Sequence, residues 1–114
     1  MLLADTNIFI DFLRKRHAAD ELASSLTRGE ALLHPYVEGE LYLSGITAEV
    51  RDLLNYLPRA VIVEHEHVLS FIEAYGTKIQ GVGYVDLHLL LSATQMGAKL
   101  LTRDQGLLRL MEIL

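Results

Sequence analysis

The sequence contains no cysteine among its 114 residues and no apolar run long enough to cross a bilayer. Without thiols the chain forms neither disulfide bonds nor thiolate metal sites, which fits a protein of the reducing cytoplasm. A membrane helix needs about 20 consecutive apolar residues, so we expect no membrane span. The first residues also differ from a signal peptide, because Asp5 and Asp11 interrupt the apolar stretch and the basic residues come after it.

Basic residues are also scarce: 10 Lys and Arg stand against 15 Asp and Glu, which gives a formal charge of −5. This balance argues against nucleic-acid binding, because proteins that bind RNA or DNA usually present a basic surface. The objection weakens if several acids bind divalent cations, since each ion adds positive charge where a phosphate would lie. The basic run Arg14, Lys15 and Arg16 either contacts phosphates or is a solvated helix end, as most charge runs are.

Hydrophobic residues make up 51% of the sequence, which is enough for a buried core. The length of 114 residues predicts a single domain, residues 1–114. Short apolar runs predict strands at 2–4, 31–35, 60–63 and 99–101. Helical spacing of apolar residues predicts helices at 7–16, 18–28, 36–44, 48–57, 66–75, 84–96 and 105–113. Strands that alternate with helices are typical of βαβ units, so we predict a three-layer α/β fold with a short parallel sheet.

In such a sheet, ligand sites lie beyond the carboxyl ends of the strands, and four acids fall at or near that edge. Asp5 ends the first strand and Asp104 follows the last one. Asp86 lies in the first turn of the helix at 84–96, and Glu40 lies in the helix after the second strand. Carboxylates that are brought together repel one another, so either their pKa values rise or a cation binds between them. Oxygen ligands suit Mg²⁺ or Mn²⁺, and two such ions about 3.5–4 Å apart can activate water for phosphodiester hydrolysis.

Each acid also has a purely structural interpretation. Asp5 and Asp104 could each cap a helix, since aspartate is common at helix N-termini. Asp86 could serve only to complement the helix dipole, and Glu40, like Glu38, could be an exposed helix residue. The functional interpretation therefore depends on the combination of the four acids and not on any one of them.

Several polar residues adjoin the acids in the sequence. Thr6 and Asn7 follow Asp5, where the Asn7 amide could hold the Asp5 carboxylate in place. Thr102 could hydrogen-bond a ligand or a metal-bound water. Arg103 directly precedes the last acid, and this position makes it a better candidate for binding a phosphate than the basic run near the N-terminus.

Four histidines and one tyrosine lie outside this set of candidate site residues. His65 and His67 flank a glutamate but lie on different faces of a helix, which disfavours a zinc site. His34 and His88 are expected to be structural residues, buried and hydrogen-bonded. Tyr84 either stacks on a base or packs at the start of its helix, which is the commoner role of such an aromatic residue.

Four segments, taken together and in order, resemble the PIN-domain nucleases, and among them the VapC toxins of VapBC toxin–antitoxin modules. They are DTN at 5–7, HPYVEGEL at 34–41, GVGYVDLHLL at 81–90 and LTRD at 101–104, and they span nearly the whole chain. The resemblance implies that Glu40, which directly precedes Leu41, is the second acid and that Glu38 is a neighbour. The metal-binding and catalytic residues that it implies are Asp5, Glu40, Asp86 and Asp104.

The same resemblance implies a PIN-like α/β/α sandwich with a parallel sheet of four or five strands, because many relatives add a strand after the last helix. It implies a metal-dependent endoribonuclease that uses Mg²⁺ or Mn²⁺ to hydrolyse structured RNA, such as transfer or ribosomal RNA. It further implies that the chain is the cytoplasmic toxin of a type II pair, which binds a VapB-like antitoxin and forms a homodimer.

Two other classes of function compete with this one. Another Mg²⁺ enzyme is disfavoured, because a haloacid-type phosphatase needs an aspartate where Asn7 stands, and a receiver domain needs paired acids near the first strand. A non-catalytic PIN-like module that binds RNA or a protein stays open. A titration with Mn²⁺ tests the active site, since an ion that binds only the folded protein raises its thermal stability.

Overall fold

The computed structural model describes residues 1–15 and 20–114 of the chain. In those residues the strands are β1 (Leu2–Ala4), β2 (Ala31–Leu32) and β3 (Lys99–Leu101). The helices are α1 (Thr6–Leu13), α2 (Asp20–Thr27), α3 (Pro35–Leu43), α4 (Ala48–Asn55), α5 (His65–Tyr75), α6 (Tyr84–Met96) and α7 (Gln105–Ile113), with a short 3₁₀ helix at Gly76–Ile79. None of the helices in these described ranges is long and apolar enough to cross a membrane.

The sheet is parallel, with the strand order β2-β1-β3. At the start of β1, Leu2 pairs with Ala31 on one side and with Lys99 on the other. All three residues of β1 are buried, as expected for the central strand of an α/β/α sandwich, and this fold class was predicted correctly. Parallel strands end at the same edge, so Asp5, which follows β1, meets the end of β3 there: its N–H donates to the Leu101 carbonyl at 2.9 Å.

The strand predicted at residues 60–63 does not form, and that prediction was wrong. The chain makes one isolated parallel bridge beside it, between Leu33 and Arg59. Beyond the bridge, side chains of α6 take the backbone groups of Val61. Its carbonyl accepts from the Ser92 hydroxyl at 2.7 Å, and its N–H lies 3.4 Å from the Met96 sulfur. A strand ladder needs those groups, so the sheet of the described residues has three strands where four or five were expected.

The ends of several elements also differ from the prediction. The second strand ends at Leu32 and not at residue 35, because Pro35 has no N–H for a strand ladder and begins α3 instead. α1 ends at Leu13, and its predicted end at residue 16 lies outside the described residues, as does the predicted start of α2 at residue 18. Gly97 ends α6 as predicted, in the left-handed conformation (φ +63°) that favours glycine.

Candidate metal centre

A cavity of about 490 Å³, which we call the acid pocket, opens at the carboxyl edge of the sheet. All four acids singled out from the sequence line it, although they come from four separate stretches of the chain. Thr102 lies beside the pocket as a buried residue rather than in its wall. The other seven predicted site residues form the wall: Asp5, Thr6, Asn7, Glu40, Asp86, Arg103 and Asp104.

Thr102 connects two of the acids. Asp5 is almost fully buried and caps α1, with Oδ1 accepting from the Thr6 N–H at 2.7 Å and Oδ2 accepting from the Thr102 hydroxyl at 2.9 Å. The Thr102 oxygen in turn accepts from the Asp104 N–H at 3.1 Å. Asp104 caps α7 through Oδ1, which accepts from the Leu107 N–H at 2.8 Å. Both aspartates are therefore helix caps, and their capping roles place their carboxylates at the pocket.

The geometry also separates Glu40 from Glu38. Glu40 projects from α3 into the acid pocket, and its Oε1 accepts a hydrogen bond from the Thr6 hydroxyl at 2.7 Å. Glu38 instead forms a two-pronged ion pair with Arg59, with distances of 2.8 and 3.1 Å. The guanidinium of Arg59 also donates to the Leu54 carbonyl at 2.9 Å, which fixes this pair against α4. Glu38 thus has a structural partner away from the pocket.

Asp86 is the acid whose pKa responds to the other carboxylates of the pocket. Its Oδ2 accepts from the Gly83 N–H at 3.3 Å, a contact that closes the first turn of α6. Burial raises the pKa of Asp86, and the nearby negative charges of Asp5, Asp104 and Glu40 raise it further, while the Gly83 N–H lowers it. The carboxylates therefore repel one another, and a cation among them would offset that repulsion.

The donor set fits a hard divalent cation in charge and in atom type, since it offers four carboxylates and no sulfur. Within residues 1–15 and 20–114, however, no three such side chains are arranged closely enough to hold an ion as they stand. The Glu40 side chain is exposed and hydrogen-bonded to Thr6, so a change of rotamer could turn it toward an ion at little cost in free energy. The pocket still fits a cation, because side chains adjust to an ion more readily than four acids tolerate one another without it.

Arg103 lines the pocket, but its guanidinium pairs with an acid outside it. The Arg103 Nη2 atom lies 2.7 Å from Oδ2 of Asp11, a residue of α1 that is only 1% exposed. Sequence analysis did not identify Asp11 as a site residue. The available signal was an acid among the buried residues of α1, beside Ile8 and Phe9. Of the basic run near the N-terminus, Arg14 and Lys15 are exposed and Arg16 lies outside the described residues.

Histidines and tyrosines extend from the pocket into the core. Tyr84 lines the pocket, and its hydroxyl is hydrogen-bonded to His65 Nδ1, so His65 has a partner other than a metal. His88 packs edge-on against Tyr84 and Tyr36, at centroid distances of 4.7 and 4.9 Å. His34 is buried and hydrogen-bonded, as predicted. The ring nitrogens of His88 have no hydrogen-bond partner among the described residues, which differs from the prediction, and burial lowers the pKa of His88.

Comparison with known proteins agrees with this geometry. Residues 2–112 match the PIN domain family. The chain is also 38% identical over 110 residues to Ribonuclease VapC32, found in two strains of Mycobacterium tuberculosis, and the match covers 94% of this chain and 87% of the relative. The order of elements, the pocket at the sheet edge and these matches show that the chain belongs to the PIN-domain family and, within it, to the VapC group.

Proposed function

We propose that the chain is a metal-dependent endoribonuclease that hydrolyses phosphodiester bonds of structured RNA, such as transfer or ribosomal RNA. The observation that carries the proposal is the convergence of four acids on one pocket. The relatives named as ribonucleases support the choice of RNA as substrate. The residues proposed to hold one or two Mg²⁺ or Mn²⁺ ions are Asp5, Glu40, Asp86 and Asp104.

A divalent cation, when bound, would lower the pKa of the water that attacks the RNA and would offset the negative charge that develops on the phosphate in the transition state. The side chains around the pocket prepare the carboxylates for that ion. The Thr102 hydroxyl donates a hydrogen bond that orients Asp5, and the Thr6 hydroxyl donates one to the Glu40 carboxylate. Arg103 offers exposed guanidinium donors at the rim for a phosphate of the RNA strand. In this proposal no side chain of the protein acts as a nucleophile.

We further propose that the protein is the toxin of a type II toxin–antitoxin pair. In this proposal its single domain, residues 1–114, acts in the cytoplasm, forms a homodimer and is inhibited by a VapB-like antitoxin. Exposed apolar side chains support the proposal of partner proteins, because such side chains often lie in protein interfaces. Leu43 is 90% exposed and Tyr56 is 87% exposed. Co-purification with the product of a short neighbouring gene tests the antitoxin, and light scattering at two protein concentrations tests the dimer.

Cleavage of total RNA by the purified protein tests the activity. We expect cleavage with Mn²⁺ and none with a chelator. The variants Asp5→Asn and Asp86→Asn should both lose cleavage while their circular dichroism stays that of the folded protein. Glu38→Gln is the matched control, because Glu38 pairs with Arg59 outside the pocket, and this variant should keep its activity. Full cleavage by either aspartate variant would refute the assignment of the site.

A melting experiment separates the enzyme from a non-catalytic module with a relic site. Saturation of a site at 100 times its Kd adds about 2.7 kcal/mol to the free energy of unfolding. We therefore expect Mn²⁺ to raise the melting temperature of the protein and to leave that of Asp86→Asn nearly unchanged. A protein that neither gains stability with Mn²⁺ nor cuts RNA would be the binding module.

A further inference from the structure

The ion pair between Arg103 and Asp11 needs an explanation that the proposed site alone does not provide. Arg103 is the only basic residue in the wall of the acid pocket, as far as the described residues show, and it is the chain neighbour of Asp104. A guanidinium that borders several carboxylates is expected to form charge-assisted bonds with them. Its Nη2 atom instead lies 2.7 Å from Asp11.

The position of Asp11 explains where the guanidinium is held. Asp11 is six residues after Asp5 along α1, which is roughly 9 Å along the helix axis at 1.5 Å per residue. Its carboxylate is 1% exposed, whereas the Arg103 side chain is 51% exposed. The pair therefore has one fixed, buried partner and one partner at the surface. Asp11 therefore holds the guanidinium through Nη2, while about half of the Arg103 side chain stays exposed to solvent.

We propose that Asp11 is a positioning residue that keeps Arg103 away from the carboxylates of the acid pocket and so leaves them available for a divalent cation. This inference rests on the proposed function, because it assumes that the four acids bind a metal. Without the Asp11 charge, Arg103 would turn toward the acids whose pocket it lines, among them its chain neighbour Asp104. The guanidinium would then compete with the cation for the same oxygens.

Isothermal titration with Mn²⁺, in the absence of RNA, measures this competition directly. Asp11→Asn removes the charge with little change of shape, and we expect it to weaken Mn²⁺ binding about tenfold, the effect of one charge-assisted contact. Arg103→Gln, which removes the competitor, should bind Mn²⁺ within about twofold of the unmodified protein. The decisive variant combines both changes, and it should recover the affinity that Asp11→Asn loses.

A double variant that binds Mn²⁺ as weakly as Asp11→Asn would overturn the proposal, since Asp11 would then act through the fold alone. If Asp11→Asn does not fold, the guanidinium NMR signal of Arg103 in the unmodified protein answers the same question. That signal should stay unchanged when Mg²⁺ saturates the pocket, and a large shift would overturn the proposal. Failure of the metal site itself has a different signature: the unmodified protein and Asp5→Asn would both fail to bind Mn²⁺.

Discussion

His34 makes the stability of the protein sensitive to acid in a way that can be worked out from its contacts. The ring is fully buried before α3, where Nδ1 accepts from the Tyr36 N–H at 3.0 Å and Nε2 lies 3.2 Å from the Ser92 oxygen. The Ser92 hydroxyl donates its hydrogen to the Val61 carbonyl at 2.7 Å, so its oxygen accepts from His34. Nε2 therefore carries the ring proton, and Nδ1 has no place for a second one.

Burial, together with the nearby ring of His88, lowers the pKa of His34 from 6.5 to about 4. In the unfolded chain the ring keeps its ordinary pKa, so the unfolded state takes up a proton first as the pH falls. The stability that depends on the neutral ring is complete above pH 6.5 and is lost as the pH falls from 6.5 toward 4. The linkage relation gives a loss of about 2 kcal/mol between pH 7 and pH 5, and about 3 kcal/mol by pH 4.

Urea unfolding of the metal-free protein, followed by circular dichroism at pH 7 and pH 5, measures this loss. With a slope of about 2 kcal/mol per molar urea, the midpoint should fall by about 1 M from this residue alone. His34→Asn is the matched control, because asparagine can still cap α3 but does not titrate. Between pH 7 and pH 5 the urea midpoint of this variant should fall by about 1 M less than that of the unmodified protein. An equal fall in both proteins would refute the argument, since the acids and His88 would then account for all of the pH dependence.

Two further pairs of variants test the packing and the pocket wall. Gly106→Ala places a methyl group 2.8 Å from the Gly81 carbonyl oxygen, so it should lower the free energy of unfolding by about 1–3 kcal/mol. The open position of Gly39 in α3 should give the opposite sign, and Gly39→Ala should raise stability by up to about 1 kcal/mol in the same melts. Tyr84→Leu should weaken binding of a labelled single-stranded oligoribonucleotide about tenfold, if the ring stacks on a base. Tyr84→Phe should bind within about twofold of the unmodified protein, and an equal loss in both variants would assign the effect to the hydroxyl.

Three of the acids could be placed from the sequence, because Asp5 and Asp104 follow strands and Asp86 lies in the first turn of a helix. Such positions can be recognised from local patterns, and parallel strands bring their ends to one edge. Asp5 and Asp104 illustrate this best, since the same capping geometry that made their role ambiguous places them at the pocket. Glu40 is different, since it lies well inside α3. The choice of Glu40 over Glu38 came from the resemblance to a family, and the Arg59 ion pair gives it a physical basis.

What the sequence did not predict depends on contacts between distant segments. Residues 60–63 have the apolar, β-branched composition of a strand, but Ser92 and Met96 of α6 take the backbone groups of Val61. The strand propensity of the residues themselves contains no information about that competition for backbone hydrogen bonds. Asp11 was missed for a related reason. A single acid in an apolar helix is ambiguous until its partner is known, and Arg103 comes from the other end of the chain.

The proposed metal site would answer the objection that an acidic chain makes a poor RNA-binding protein. The formal charge of −5 includes the four carboxylates of the acid pocket, which lie where the scissile phosphate would have to approach. Two divalent ions would carry as much positive charge as those carboxylates carry negative charge. With two such ions bound, the formal charge would change from −5 to −1, and the pocket itself would no longer repel RNA. Because Asp11 pairs with Arg103, the guanidinium would not neutralise a carboxylate of the acid pocket, and in the proposed enzyme metal and RNA would bind side by side.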